Sequence, residues 1–365
     1  MTNNVKAVFL VFFAALIGVA IWFSSKSDGG SLIPTKSVVL KGVVTSEKEN
    51  FFKDERVKAE FLKNGYDVQV TRMTSDKIVA AATPADLGGF SDFVFPSSVP
   101  VSEKVKSTFK SSQAYNVFYS PMVIATWTPI VNILRDNSMI KKVGSYETLD
   151  MEAYLKHVQA GTRWKELKKS DEYPVNKLML VSSSDSRYSG SAKMYVALNS
   201  YILNNSNVVA SEQEINQVMP TLKKIIQAQG NRESSSTNMT SDYVSIGRGK
   251  VPMMFSYESE FLSVAQQNPD LIKKGAVMLY PTPTVYSKHV MVVIDSKAQA
   301  LVDLMKKNVS LQKLASEYGF RIEGDNGIVQ HAKSLGVTIP DTVVDVIDPP
   351  NYDVLDALTA KVEEK

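Results

Sequence analysis

The constraint that bears hardest on this chain is a repeated order: a short β-branched strand, a hydroxyl-rich turn, then a helix. Residues 37–45 (SVVLKGVVT) read as a strand that ends in Thr45-Ser46. Residues 50–64 follow with Phe51, Phe52, Val57, Phe61 and Leu62 close to helical spacing, and Gly65 is placed to end that helix. Residues 66–71 (YDVQVT) alternate like a second strand, so the chain opens as a β-α-β crossover, the unit of a parallel sheet. The pattern returns at 92–96 (DFVFP), which runs into Ser97-Ser98 and a helix from Val101. It returns again at 177–181 (KLMLV), which leads through residues 182–191 to the helix AKMYVALNSYIL, and at 251–255 (VPMMF), which leads to Ser256-Tyr257-Glu258-Ser259 and another helix.

Further helices are expected over 130–140, 151–159, 212–229, 298–306 and 311–318, with Pro220 as a kink in the third of these. Strands are expected at 277–280 and 289–294, and 231–241 (NRESSSTNMTS) reads as a polar loop. Residues 115–127 form a long apolar stretch, and Pro121 implies a bend between two segments. The class is α/β, and 365 residues suggest about two domains.

Residues 7–23 (AVFLVFFAALIGVAIWF) form an unbroken apolar run of 17. As a helix this spans roughly 25 Å, at the short end of what crosses a bilayer. A cleaved signal peptide needs a small-x-small site after its apolar core, whereas Ile21-Trp22-Phe23 are bulky, so an uncleaved transmembrane anchor is expected over residues 1–24. A buried helix of a soluble core would need partners on every side. Residues 25–37 then read as a Ser/Gly/Pro-containing tether, and the large domain that follows is expected outside the cytoplasm.

Net charge is only +3, but residues 322–365 hold nine acids against three lysines, a net of −6, so the rest of the chain carries +9. A basic body with an acidic tail favours an anionic ligand or an anionic membrane surface; solvated charges also segregate without a partner. The absence of cysteine removes disulfides, thiolate metal sites and cysteine nucleophiles. His157, His289 and His331 lie far apart with no metal-ligand spacing and read as surface or packing residues. Asp185 among its serines has no histidine placed as a base. No cofactor is expected, and no concentrated basic stripe suggests nucleic acid.

In open parallel sheets ligands bind beyond the carboxyl ends of the strands, where helix N-termini offer N–H groups that suit anions. Four strand ends here, after Val44, Pro96, Val181 and Phe255, run into hydroxyl-rich turns. Each cluster taken alone also reads as a plain N-cap or turn.

With these segments the chain resembles the type 2 periplasmic-binding-protein superfamily, the extracellular solute-binding proteins, over about residues 38–321. Residues 184–191 (SDSRYSGS) are similar to that family's T-D-P-x-x-S-N-S-G-like turn, with Ser186 in place of its proline and Gly190 in place of its asparagine. Residues 251–258 (VPMMFSYE) resemble a strand ending in a ligand-facing Tyr-Glu, and 277–283 (VMLYPTP) the return to the first lobe. Residues 312–321 (QKLASEYGFR) resemble the closing helix that ends in Gly-Phe-Arg.

The resemblance implies two lobes: 38–125 with 277–321, and 126–276. They are joined by two crossing strands, bent at Pro121 and Pro281, that hinge over a ligand cleft. Residues 322–365 would be an acidic extension outside this core, its helix at 352–362 docking on lobe 1 or on a partner. The ligand contacts implied are Thr45, Ser46, Ser97, Ser98, Ser184, Asp185, Ser189, Ser191, Tyr257 and Glu258, with Glu258 open to a second role at its own helix start. The expected activity is capture of a small polar or anionic ligand for a transporter or sensor, without catalysis. The alternative is an envelope interaction module that keeps the fold and has lost the ligand. Iron-binding relatives use adjacent tyrosines, and no such pair occurs here, so ferric iron is not favoured.

Overall fold

The computed structural model describes residues 37–324 and 326–364; the expected anchor and most of the tether lie outside them. Among the described residues no helix is long and apolar enough to cross a membrane.

The chain begins with β1 (Val38–Val44), α1 (Ser46–Lys53), α2 (Glu55–Lys63), β2 (Tyr66–Arg72), α3 (Ser75–Ala80), β3 (Phe93–Phe95), α4 (Val99–Thr108) and the long β4 (Gln113–Trp127). It continues through α5 (Thr128–Asp136), β5 (Ile140–Val143), β6 (Tyr146–Asp150), α6 (Met151–Ala160), α7 (Gly190–Leu203), α8 (Glu212–Gln227), α9 (Ser236–Ser245) and β7 (Met254–Tyr257). Then come α10 (Glu258–Gln267), α11 (Asp270–Lys273), β8 (Ala276–Thr282), β9 (Thr284–Val293), α12 (Gln299–Lys307) and α13 (Val309–Glu317). The chain closes with α14 (Gly327–Ser334), β10 (Val346–Ile347) and α15 (Tyr352–Glu363).

The strands lie in the order β2-β1-β3-β9-β4-β8-β6-β5, with β7 also on β4 and β10 on β9. β1 pairs in parallel with β2 and β3, as the opening crossover predicts. Side chains of these strands alternate between two cores, as the period of two requires. Leu40, Val44, Phe93, Phe95, Met291 and Val293 enter a phenylalanine-rich core with Phe51, Phe52, Phe61, Phe118 and Phe320, while Val43, Val94 and Val292 enter the other with Ile78, Val101 and Val105. Both faces of this first-lobe sheet are covered, which is why its strands read as near-continuous apolar runs.

The crossing is made by β4. From Gln113 to Pro121 it pairs with β9, and from Met122 onward with β7 and β8. Pro121 stays in the ladder opposite Tyr286, at the point where the partners change. A proline has no N–H to give, so a change of partner there costs no ladder bond. The ladder is thus continuous through β4, but its two halves sit in different cores. Met122–Ala125 belong to the second core, and on the return the core changes between Val285 and Met291.

The helix read over 50–64 is two, broken at Asp54, and the return to the first lobe is made by β9 and not at 277–283, because Ala276, Leu279 and Tyr280 of β8 are buried in the second core. Three further segments differ from the sequence reading. Residues 177–181 form no strand; the segment is held by scattered bonds, Met179 N to Thr162 O, Val181 N to Tyr154 Oη and Ser182 N to Met253 O. The 231–241 loop instead turns into α9, started by the Ser235 hydroxyl accepting from Asn238 N and anchored by buried Met239 and Tyr243 at helical spacing. The third is the C-terminal extension, which is no appendage. Ile328, Ala332, Ile339, Ile347, Leu355, Leu358 and Val362 are buried in the second core, and α15 packs mainly on α7 and α8, with a smaller contact on α4 of the first lobe. Its apolar stripe chose the second lobe because that is where α7 and α8 leave an uncovered groove. Glu363 is fixed there by Arg232, with Nη1 2.9 Å from Oε1.

Leu358 is fully buried under α15. Leu358→Ala is expected to lower the unfolding free energy by about 2–5 kcal/mol, measured by urea denaturation. A change within experimental error would show that the extension is not part of the cooperative core.

Candidate functional site

Where the two lobes meet, a gap is lined by Thr45, Ser46 and Glu47 from the β1–α1 turn, by residues 72–75 from the β2–α3 turn, and by Ser97 from the β3–α4 turn. The second lobe answers with Tyr188, Ser189 and Gly190 at the start of α7, Ser234, Ser235 and Ser236 at the start of α9, and Tyr257 at the end of β7. β1 and β3 are parallel and each is followed by a helix, so α1 and α4 start on the same side, and the N-termini of α7 and α9, reached through loops of the second lobe, meet them across this gap. The residues preceding α1, α4 and α7 (Thr45, Ser98 and Ser189) make no side-chain cap to their own helices. That leaves first-turn N–H groups facing a shared, partly desolvated space.

Five of the ten residues expected from sequence therefore come together: Thr45, Ser46, Ser97, Ser189 and Tyr257. Tyr257 donates across the gap to Ser97 Oγ at 3.3 Å. Gly190 packs so tightly that an added Cβ would lie 2.8 Å from Ser97 Oγ and 3.4 Å from Tyr257 Oη. The gap encloses only about 20 Å³, on the order of one or two waters.

The other five are placed differently. Ser184 and Ser191 are buried behind Ser189 in a closed serine triangle, with Ser184 Oγ 2.7 Å from Ser189 Oγ and Ser189 Oγ 3.0 Å from Ser191 Oγ. Asp185 is tied to Arg187, with Nε 3.0 Å from Oδ1; burial works against its charge, but Arg187 holds its carboxyl below the ordinary range. Ser98 is buried, and its carbonyl accepts from Ser102. Glu258 is not ligand-facing. It is fully buried, accepts from Arg321 Nε at 2.6 Å and Nη2 at 2.9 Å, and also takes the Tyr280 hydroxyl. Burial opposes the Arg321 charge, but Glu258 overcomes this and raises its proton affinity.

Beneath the gap lies a network that the sequence reading missed. Lys48 is fully buried; its Nζ donates to Thr45 Oγ1 at 2.8 Å and to Glu47, and lies 3.0 Å from His289 Nδ1 and 4.9 Å from the Phe95 ring centre. With Lys48 donating to Nδ1, the His289 proton sits on Nε2, 3.3 Å from Ser287 Oγ, and Ser287 in turn donates to Ser97 O. Burial lowers the proton affinity of Lys48, against the pull of Glu47, and burial with Lys48 alongside drives that of His289 well down. Ser75 and Ser234–Ser236 were also missed. The available signal was the same one used elsewhere, a hydroxyl cluster before a helix, after β2 and before α9. Among the described residues no three His, Cys, Asp or Glu side chains are grouped to hold a metal.

No protein-family model matches the chain, and no curated protein matches it by sequence. Solved structures do. The sulfate-binding protein SubI from Mycobacterium tuberculosis H37Rv is 14% identical with a TM-score of 0.52, covering 86% of this chain and 94% of that one. The ferric binding protein from Campylobacter jejuni is 12% identical with a TM-score of 0.57, covering 89% and 100%. The periplasmic binding protein AfuA from Actinobacillus pleuropneumoniae, with exogenous fructose-6-phosphate bound, is 11% identical with a TM-score of 0.54, covering 89% and 98%. At these identities the likeness is one of fold, the two-lobed architecture of periplasmic binding proteins.

Two outcomes follow from the buried charges. Arg321→Met leaves Glu258 buried and unpaired and is expected to cost about 3–5 kcal/mol, while the double variant with Glu258→Gln recovers part of that loss, both read by urea denaturation. For His289, unfolded chains take up the proton near the ordinary value of about 6.5 and the folded chain well below it, so stability falls as pH drops from 6.5. The melting temperature should decline from pH 7 to pH 5, and less steeply in His289→Asn, which keeps an acceptor for Lys48. Equal slopes would remove His289 as a cause.

Proposed function

We propose that this chain is an extracytoplasmic solute-binding protein, held at the membrane by residues 7–23, that closes its two lobes on a small polar or anionic ligand. The observation that carries this reading is the convergence, from both lobes, of four helix N-termini and their hydroxyls on one gap. Each helix N-terminus acts as about half a positive charge, and unpaired N–H groups there take oxyanions without a dedicated cation. Arg72 at the rim, paired with Glu49 at 3.6 Å, adds one at the edge. The hydroxyls of Thr45, Ser46, Ser97 and Ser189 would supply further bonds worth about 1 kcal/mol each, and more to a charged group.

Closure is a hinge motion, with β4 and β9 as the crossing strands and the partner change at Pro121 as the place where β4 turns from one lobe to the other. The closed pair of lobes is what a transporter or sensor in the envelope would read. The role is binding rather than catalysis: His289 is held beneath Ser97 by Lys48 and Ser287, and the carboxylate beside Thr45, that of Glu47, is itself taken up by buried Lys48.

One observation favours a second reading, an envelope interaction module with a degenerate cleft: the gap is nearly filled by its own side chains. The two are separated by following the melting of the full chain in detergent with a panel of oxyanions, sugar phosphates and neutral sugars. A ligand that binds the folded state alone raises the melting temperature. A shift is expected with at least one oxyanion, and Gly190→Val, which holds the lobes apart at Ser97, should weaken it at least tenfold without lowering the melting temperature of the free protein by more than a few degrees. No shift across the panel, with a stable partner recovered from the envelope, would establish the second reading instead.

A further inference from the structure

On the other side of the first turn of α1 the same inter-lobe space opens into a chamber of 310 Å³. One wall is Ser46, Glu47, Asn50 and Tyr318 of the first lobe; the other is the facing sides of α9 and α10 in the second. Its chemistry is the reverse of the helix-tip gap. The lining includes the carboxylates of Glu47 and Glu260 and no lysine or arginine, and the rest is hydroxyls and amides apart from two valines and the Tyr318 ring.

Two of its polar groups are built into the wall without partners. Glu260 is 9% exposed; its Oε2 accepts from Ser256 Oγ at 2.8 Å, but Oε1 has no hydrogen-bond partner. Ser259 is 2% exposed, and its Oγ is likewise unpartnered. A buried carboxylate oxygen without a donor is costly, and structures keep such groups where something else completes them. Burial raises the proton affinity of Glu260, and the nearby charge of Glu47 adds to this while the hydroxyls of Ser256, Ser236 and Thr237 work against it. What the chamber lacks is therefore a positive charge to meet Glu260, since no lysine or arginine lines it.

We propose that this chamber is a binding site for a small organic cation bearing an ammonium group, with Glu260 as its anionic anchor. The three ammonium N–H groups match an acceptor-rich wall: Glu260 Oε1, the Ser259 hydroxyl, and the side-chain oxygens of Asn50 and Gln267. The Tyr318 ring, whose hydroxyl is already committed to Asp54 at 2.9 Å, offers an aromatic surface to the cation. A bare metal ion is a poor match, because two carboxylates without a third acidic or imidazole group give no closed coordination shell. An oxyanion is disfavoured in this half by Glu260, which faces no lysine or arginine, while Glu47 is already matched by Lys48. The inference rests on reading the inter-lobe space as a ligand cleft, and it names what the chamber side of that cleft takes.

The test is isothermal titration of the full chain in detergent with putrescine, ethanolamine and glucosamine, beside sulfate, phosphate and glucose. At least one amine is expected to bind. Glu260→Gln should weaken it at least tenfold, and so should Ser263→Phe, which fills the chamber from its half-exposed rim and leaves Glu260 in place should the first variant fold poorly. Amine binding that survives both substitutions, or no amine binding at millimolar concentration, overturns the proposal. If sulfate or phosphate binds and the amines do not, the chamber assignment fails while the cleft reading stands; if nothing in either set binds, both fail.

Discussion

The pairing of Arg321 with Glu258 is the interaction on which the arrangement of the two lobes depends. Arg321 ends the first lobe, and Glu258 starts a helix of the second. Both are almost fully buried, so each charge is tolerable only because the other is there and the remaining donors are used. They are used: Nη1 reaches Asp341 O at 2.9 Å, Nη2 reaches Pro340 O at 2.8 Å, and the Arg321 backbone exchanges bonds with Tyr119 on the crossing strand. One residue thus joins β4 through its backbone and α10 and the C-terminal extension through its guanidinium. Gly319 makes this geometry possible. It has φ +79°, and a Cβ there would lie 2.6 Å from the Ser259 backbone, so the Gly-Phe-Arg turn can lie against α10 only as glycine.

Because Glu258 is spent on this pair, its neighbour Tyr257 is fixed in position. β7 ends at Tyr257, α10 begins at Glu258, and with the carboxylate held the phenol reaches Ser97 in the opposite lobe. The sequence reading grouped Tyr257 and Glu258 as one ligand-facing unit. In space they serve opposite purposes, since successive residues at a strand end face opposite ways. One looks into the gap and the other into the protein.

What could be read from sequence was whatever depends on local periodicity. The opening β-α-β unit, the crossing strand and the hydroxyl turns after β1 and β3 stand where the pattern places them, because alternation and capping act over a few residues. The Lys48–His289–Ser287 network joins residues more than two hundred positions apart, and no local pattern announces a buried lysine. Helix α9 was hidden by composition: ten residues with seven hydroxyl, amide or acidic side chains look like a loop until Met239 and Tyr243 find a core. The extension was misplaced for a related reason. The stripe on α15 shows that it must dock, but which surface it covers depends on a groove formed by α7 and α8, and that groove exists only after the second lobe has folded.

Glu47 divides the inter-lobe space into its two halves. It lines both the helix-tip gap and the acidic chamber, and a free carboxylate there would oppose any anion at the helix N-termini. It is not free: Thr45 and the buried Lys48 both donate to it, so its charge is matched from below, inside the first lobe. With Glu47 neutralised in this way, the gap keeps the positive character of its helix N-termini, while the chamber keeps the uncompensated Glu260. The same first turn of α1 forms a wall of each half, so the proposed closing of the lobes would change both together. On the proposed closure, a group held in one half would bias what the other half experiences through the shared turn of α1.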